Sequence, residues 1–295
     1  MKNKNEESHP YSHGDDYCVV IEAKASWFRL PFRDIWEYRD LLFLMVRRDF
    51  VAKYKQTVLG PLWFIIQPLM MTMVFTVVFN RIGKIPTDKL PPMLFYLCGQ
   101  LSWSYFAQCM NGTSRTFVAN ANLFGKVFFP RLIIPLSVVA SSLIAFVIQL
   151  ATFMAFWVFF KFFTPAGELF GFTPYLLALP VLLIITGAIG LGVGLWMSSM
   201  SAKYRDFAHL GTFLTQLWMY ATPVVYPLSE VPEKWRWVVS LNPMTGIVET
   251  YRYAFLGAGT VEAKFLLISA ASAIVLLITG VLMFGKTERT FIDTV

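Results

Sequence analysis

The run Leu132–Phe160 reads LIIPLSVVASSLIAFVIQLATFMAFWVFF, 29 residues without one charged side chain. About 20 mostly apolar residues are enough for a helix to cross the hydrocarbon core of a bilayer. The run predicts a transmembrane helix, longer than a crossing requires and so expected to tilt or protrude. Reading outward, similar runs fall at Val58–Phe79, Met93–Thr113, Tyr175–Met197, Leu210–Tyr226 and Phe265–Phe284. Met93–Thr113 and Leu210–Tyr226 carry Gln100, Gln108, Asn111 and Gln216, as expected of helices facing a bundle interior or a pathway. The expectation is an all-α polytopic membrane protein with six spans.

Composition agrees. Of 295 residues 56% are hydrophobic and 15% charged, against roughly 25% charged in an ordinary soluble domain. That is too little charge to clothe a water-soluble globule. Lys and Arg outnumber Asp and Glu by 25 to 18. They sit mostly beside apolar runs, where lipid headgroups and topology account for them without nucleic acid. Cys18, Cys98 and Cys109 lack CxxC spacing and His9, His13 and His209 are scattered, so neither a disulfide framework nor a metal site is indicated. The polar N-terminus has no apolar core of the kind a cleavable signal peptide needs.

Six spans put both termini on one side. Arg47, Arg48, Lys53 and Lys55 precede the first span, Arg115, Lys126 and Arg131 lie in the second loop, and Lys286 and Arg289 follow the last span. Arg81, Lys84 and Lys89 stand on the other side. The bias favours cytoplasmic termini, and the first loop weakens it. Residues 1–30 read as a disordered extension and 31–57 as a helix lying in the membrane interface. The transmembrane domain is placed at 58–286 and a cytoplasmic tail at 287–295.

In segment 31–57, Ile35, Trp36, Leu41, Leu42, Leu44, Met45 and Phe50 alternate at helical spacing with Arg39, Asp40, Arg47, Arg48 and Lys53. A basic polar face with a Trp suits the interface; a soluble helix packed on a partner is the alternative. Segment 227–257 is too polar to span simply, yet holds short amphipathic pieces around Glu233–Leu241 and Thr245–Leu256. Asn242-Pro243 breaks them, with Asn242 placed to cap the second. Two short helices dipping into the outer membrane surface are expected. Trp235, Trp237, Tyr251, Tyr253 and Phe255 argue against an ordinary extracellular loop.

No span carries Asp, Glu, Lys, Arg or His in its interior. Ion-coupled transporters place ionisable groups there despite the cost, so energy for any uphill transport is expected to enter through the cytoplasmic loops. Gly280–Thr287 (GVLMFGKT) matches a phosphate-loop pattern in letters, but it is the apolar end of the last span and lacks the strand and free N–H groups that such a loop requires. No catalytic motif is present, and no cofactor is expected on this chain. Gly187, Gly190, Gly192 and Gly194 permit close helix packing, within the bundle or against a second copy. Trp63, Trp103, Tyr105, Trp218 and Tyr220, near polar span residues, are candidates to line a pathway; facing lipid is the alternative.

Arg47–Leu69 (RRDFVAKYKQTVLGPLWFIIQPL), Asn120–Leu136 (NANLFGKVFFPRLIIPL) and Tyr226–Gly257 (YPLSEVPEKWRWVVSLNPMTGIVETYRYAFLG) resemble the permease subunit of ABC-2-type bacterial polysaccharide exporters, which carry O-antigen, capsule and teichoic acid polymers. The similarity covers most of residues 35–290. It implies a homodimer in the bacterial inner membrane bound to two copies of a separate ATPase, which holds the ATP and Mg. The substrate it implies is a polymer on undecaprenyl diphosphate. It also implies that Asn120, Asn122, Leu123, Phe124, Lys126 and Phe129 form a coupling helix on the ATPase, with Arg131 returning the chain to the membrane. Arg47 and Arg48 become candidates to meet the lipid diphosphate, although topology alone also explains them. Segment 227–257 becomes a re-entrant outer gate, with Trp235, Trp237, Asn242, Pro243, Glu249 and Arg252 in it. Glu249 and Arg252 are spaced to pair, or Arg252 could hold its helix against a neighbour. Rival readings are an ABC-2 permease for a small lipid or drug, a passive channel, and a membrane-embedded glycan-modifying enzyme.

Overall fold

A computed structural model of the chain describes residues 32–55, 58–124, 126–127, 129–204 and 206–292. The expected disordered extension at 1–30 lies outside the described residues, as do residues 293–295 of the tail. All regular structure among the described residues is helical. Helices α1 (Phe32–Glu37) and α2 (Arg39–Tyr54) come first. The first long apolar segment follows as a 3-10 turn at Gly60–Leu62, α3 (Trp63–Phe75) and a π-helical stretch at Thr76–Ile82. Pro68, inside α3, withholds one N–H from the helical ladder, and the pitch widens into the π-helical stretch eight residues further on. Then come α4 (Pro92–Ser114), the short α5 (Thr116–Ala119) and α6 (Ala121–Phe124), α7 (Ile133–Phe163) and α8 (Leu179–Lys203). The chain continues through α9 (Phe207–Tyr220), α10 (Glu233–Leu241), α11 (Pro243–Leu256) and α12 (Ala263–Ile292).

Among the described residues four stretches are long and apolar enough to cross a membrane: Gly60–Ile82, Ile133–Phe163, Pro174–Lys203 and Ala263–Glu288. They coincide with the expected first, third, fourth and sixth spans. The second, α4, has the length at 23 residues, but its polar groups belong to a helix ringed by α3, α7, α8, α9 and α11. The fifth, α9, ends at Tyr220 after 14 residues, about 21 Å at 1.5 Å per residue. It stops short of the expected Tyr226 because Pro223 disfavours helical backbone at the residue before it. The chain turns through residues 221–226 with Thr222, Val224 and Val225 buried.

The two pieces expected to dip into the membrane surface differ from each other. Helix α10 buries no residue, with Trp235 and Trp237 exposed. Helix α11 is a core element: Ile247, Val248, Tyr251, Ala254 and Phe255 are all buried against α4, α8 and α12. Most of its buried polar groups are paired internally, through Thr245, Thr250, Glu249 and two of the three nitrogens of Arg252.

Helix α8 lies at the centre of the packing. A Cβ on Gly190 would stand 2.7 Å from Cys109 Cβ, and one on Gly194 2.6 Å from Thr113 Cβ, both on α4. One on Gly187 would meet the Tyr105 hydroxyl at 2.8 Å. On the α12 side, Gly192 would meet the Leu276 carbonyl carbon at 2.6 Å, and Gly280 would meet the Gly192 carbonyl oxygen at 2.6 Å. The glycine stripe therefore serves contacts within the bundle. Residues 280–287, the phosphate-loop look-alike, form part of α12. Gly280→Ala should lower the thermal midpoint in detergent, an overpacking cost of about 1–3 kcal/mol. Gly285→Ala, whose Cβ meets nothing within 4 Å, should hold or raise it by the helix gain of about 0.5–1 kcal/mol. Equal midpoints for the two variants would sink the packing assignment.

Candidate functional site

Two clusters stand at opposite ends of α4. At its C-terminal end α4 runs into α5 and α6, α7 begins, and α12 finishes alongside. Phe117 on α5 stacks on Phe284 of α12 at 4.6 Å between ring centroids. Phe124 packs against Phe117 and Phe129, and Met45 of α2 joins the same buried cluster. Arg131, 7% exposed, completes it. Its Nη1 donates to the Glu288 carbonyl at 3.0 Å, its Nε lies 3.7 Å from Glu288 Oε1, and its guanidinium sits 5.0 Å from the Phe124 ring centre. Burial pulls the Arg131 guanidinium below its ordinary value, and the Glu288 carboxylate opposes that pull.

The residues that the resemblance placed on a docking surface separate into two groups. Phe124, Phe129 and Arg131 face inward and hang the loop on the bundle. An aromatic or guanidinium group committed to this cluster cannot also present itself to a partner. Asn122 and Lys126 are exposed, with Leu123 half-buried between them. Asn120 Nδ2 donates to the Thr116 carbonyl at 3.0 Å, holding the end of α5. Val118 and Val127, more than half exposed, extend the outer face and were not singled out from sequence. In a loop that also holds Phe117, Leu123, Phe124 and Phe129, nothing in the sequence marked these two valines as the outward ones.

Helix α2 is moored to α7. Arg48 donates through Nε and Nη2 to Asp49 Oδ1 at 3.0 and 2.8 Å. Asp49 Oδ2 accepts from Ser137 Oγ at 3.0 Å. Arg47 is exposed. Of the two candidates to meet a diphosphate, Arg48 is thus half-spent on Asp49, while Arg47 faces outward. The expected single apolar face of 31–57 is divided. A turn at Tyr38 separates α1 from α2, Met45 is buried, and Trp36, Phe43 and Leu44 are exposed.

At the other end Asn242 works as a hub. Its Oδ1 accepts from the Met244 N–H at 3.0 Å, capping α11, and from Trp218 Nε1 at 2.9 Å. Its Nδ2 donates to Thr222 Oγ1 at 2.8 Å and the Ala221 carbonyl at 3.2 Å. Pro243 takes the first helical position, and its carbonyl accepts from Ser269 Oγ at 2.6 Å. Between two and three turns further along α11, both alternatives weighed for Arg252 hold at once. Its Nη1 donates to Glu249 Oε1, and its Nη2 to the Pro223 carbonyl at 2.7 Å. Phe95 of α4 lies under the guanidinium at 3.9 Å, and Glu249 Oε2 accepts from the Thr260 N–H at 2.8 Å. The two charges, at most 1% exposed, thereby tie four segments together.

The aromatic candidates divide as well. Trp103 and Tyr105 are core residues, and Trp218 is half-buried with its N–H on Asn242. Trp63 and Tyr220 are each 49% exposed and remain available to a partner, a substrate or lipid.

Removing one member of a buried pair leaves the other charge uncompensated, at a cost of roughly 3–5 kcal/mol. Glu249→Gln should therefore destabilise the chain sharply, and adding Arg252→Met should recover much of the loss. A double variant no more stable than the single, read by thermal unfolding in detergent, would show that the Pro223 and Phe95 contacts of Arg252 matter more than the pairing.

Residues 40–256 match the family model described as ABC-2 type transporter. The chain is 27% identical to the O-antigen export system permease protein RfbA of Myxococcus xanthus, over 89% of its own length and 98% of that protein. It is 26% identical to a Klebsiella pneumoniae protein of the same name, over 86% and 94% of the two chains. To the polysialic acid transport protein KpsM of Escherichia coli it is 23% identical, over 86% and 95%. The family match runs from α2 to the end of α11, through both clusters described above, and the chain belongs to the ABC-2 type transporter family.

Proposed function

We propose that the chain is the permease subunit of an exporter that moves a polysaccharide, O-antigen-like and carried on undecaprenyl diphosphate, across the bacterial inner membrane. The observation that carries this reading is the near end-to-end likeness to permeases of O-antigen export and to a polysialic acid transporter. In this reading α4 and α9, the latter with the buried turn that follows it, complete a six-pass bundle with both termini cytoplasmic. Residues 31–57 form the interface helix and 227–257 the outer gate, with exposed α10 as its lip and buried α11 as its anchor. The chain acts as a homodimer with two ATPase subunits and catalyses nothing itself.

The geometry suits transmission. The exposed edge Val118, Asn122, Lys126 and Val127 would receive the ATPase. Behind it, the aromatic cluster and Arg131 join the loop to α12, and α12 is locked to α8 at Gly280. A push on the loop therefore reaches two long helices without any ionisable group inside the membrane. A pathway for a sugar chain would open where two copies meet.

Gentle purification with mass spectrometry, followed by reconstitution, tests the reading. An ATPase in equal amount and ATP-dependent movement of lipid-linked glycan are expected. A complex stimulated only by small lipids or drugs would favour the rival permease, and a solitary, folded chain would favour a passive channel. Lys126→Glu with Val118→Asp should reduce ATPase recovery at least tenfold at an unchanged thermal midpoint. Arg131→Gln should instead keep the ATPase bound and lower export per ATP hydrolysed, with partial recovery on exchanging Arg131 and Glu288. Full coupling in Arg131→Gln would remove the strut from the mechanism.

A further inference from the structure

The first apolar segment is held against α4 and α7 along a seam of unpartnered polar groups. Gln149 on α7 is 8% exposed, and its Oε1 has no hydrogen-bond partner among the described residues. Gln100 Oε1 on α4 has none either. Both side chains line one cleft, which Phe64 and Pro68 flank on the α3 side. The room in it for a water-sized molecule is about 10 Å³, the scale of a single hydroxyl or water. The seam continues through Thr72 Oγ1 on α3, one turn beyond Pro68, and the Tyr96 hydroxyl on α4, both fully buried and both unpartnered. Tyr96 packs edge-on against Phe75 on the same side of α3. Thr152, which also lines the cleft, bonds back to the Ile148 carbonyl at 2.9 Å. Elsewhere in the bundle many Ser and Thr hydroxyls do the same, as at Thr186 and Thr250, while Thr113, Ser198 and Ser201 are buried without a partner among the described residues.

Buried amide oxygens away from water cost free energy unless a donor reaches them. Neither glutamine carries charge and the rest of the lining is apolar apart from Thr152, so an ion here would keep an uncompensated charge at membrane depth. Two unpartnered acceptor oxygens on residues that share one small cleft call for a neutral donor such as an O–H. We propose that the seam between α3 and the α4–α7 pair is a hydroxyl-binding site whose ligand donates to Gln100 and Gln149. Water can fill it as it stands. A sugar can reach it with one projecting hydroxyl when α3 stands off. Helix α3 is built to do so: its segment is the least buried of the four apolar stretches, and Pro68 and the π-helical stretch interrupt its ladder. The sugar source rests on the proposed function; the water source does not.

Electron cryomicroscopy of the purified protein in nanodiscs, with its co-purifying subunits, tests this with and without lipid-linked glycan. Density within hydrogen-bonding distance of both Oε1 atoms is expected without glycan. Replacement of that density by a sugar hydroxyl, with Gln149→Leu cutting export at least tenfold at an unchanged thermal midpoint, identifies sugar as the working ligand. The same density in both maps, with export by Gln149→Leu within twofold of the parent, identifies water. Amides bonded to each other or to the main chain, with nothing between them, overturn the site. A wild-type complex that exports no glycan refutes the polysaccharide reading and leaves the density result standing.

Discussion

The architecture depends on the approach of α8 to α4 on one side and α12 on the other, backbone against backbone. Lipid tails are as apolar as leucine, so helices in a bilayer gain little by merely hiding side chains from their surroundings. They gain by close contact, and Gly190, Gly194 and Gly192 remove the atoms that would prevent it. The consequences extend well beyond α8. With Gly280 seated on Gly192, the last turns of α12 carry Phe284 and Glu288 to the loop between α4 and α7, where Phe117 and Arg131 receive them. The position of a cytoplasmic loop in the proposed exporter is thus inherited from a contact in the middle of the bundle.

Charge is distributed in keeping with that design. The four apolar stretches keep ionisable groups away from their centres, while Glu249 and Arg252 are buried in α11, which is too short to span. Each of them has a second partner, Thr260 for the carboxylate and Pro223 for the guanidinium. A pair satisfied in this way confers position more than stability. It fixes α11 against the turn after α9 and the chain entering α12, the region proposed as the outer gate. In the proposed exporter, energy entering at the loop end and a gate held at the other would then be joined through rigid helices.

Much of the site was legible because single residue types carried the signal. Asn242 before Pro243 reads as a helix cap, and it is one. The i,i+3 spacing of Glu249 and Arg252 reads as a pair, and they pair. Aromatic and basic residues in the α4–α7 loop marked it as unusual, yet their directions did not follow. Phe124, Phe129 and Arg131 turn inward while Val118 and Val127 turn out, against the hydropathy of the valines. Trp103 and Trp218 looked equivalent from sequence; the first fills the core and the second spends its N–H on Asn242.

The sequence by itself determined that this is a membrane protein with uncharged helices, and which family it resembles. Those properties are local, since the length and polarity of a segment decide whether it can leave water. Only the tertiary structure decided that α11 is core and α10 surface, and that α9 ends at a turn packed within the bundle. It also decided which face of each loop residue is free. These depend on which neighbour arrives to satisfy a polar group or fill a groove, and for Arg252 those neighbours, Phe95 and Pro223, come from 157 and 29 positions away in the chain.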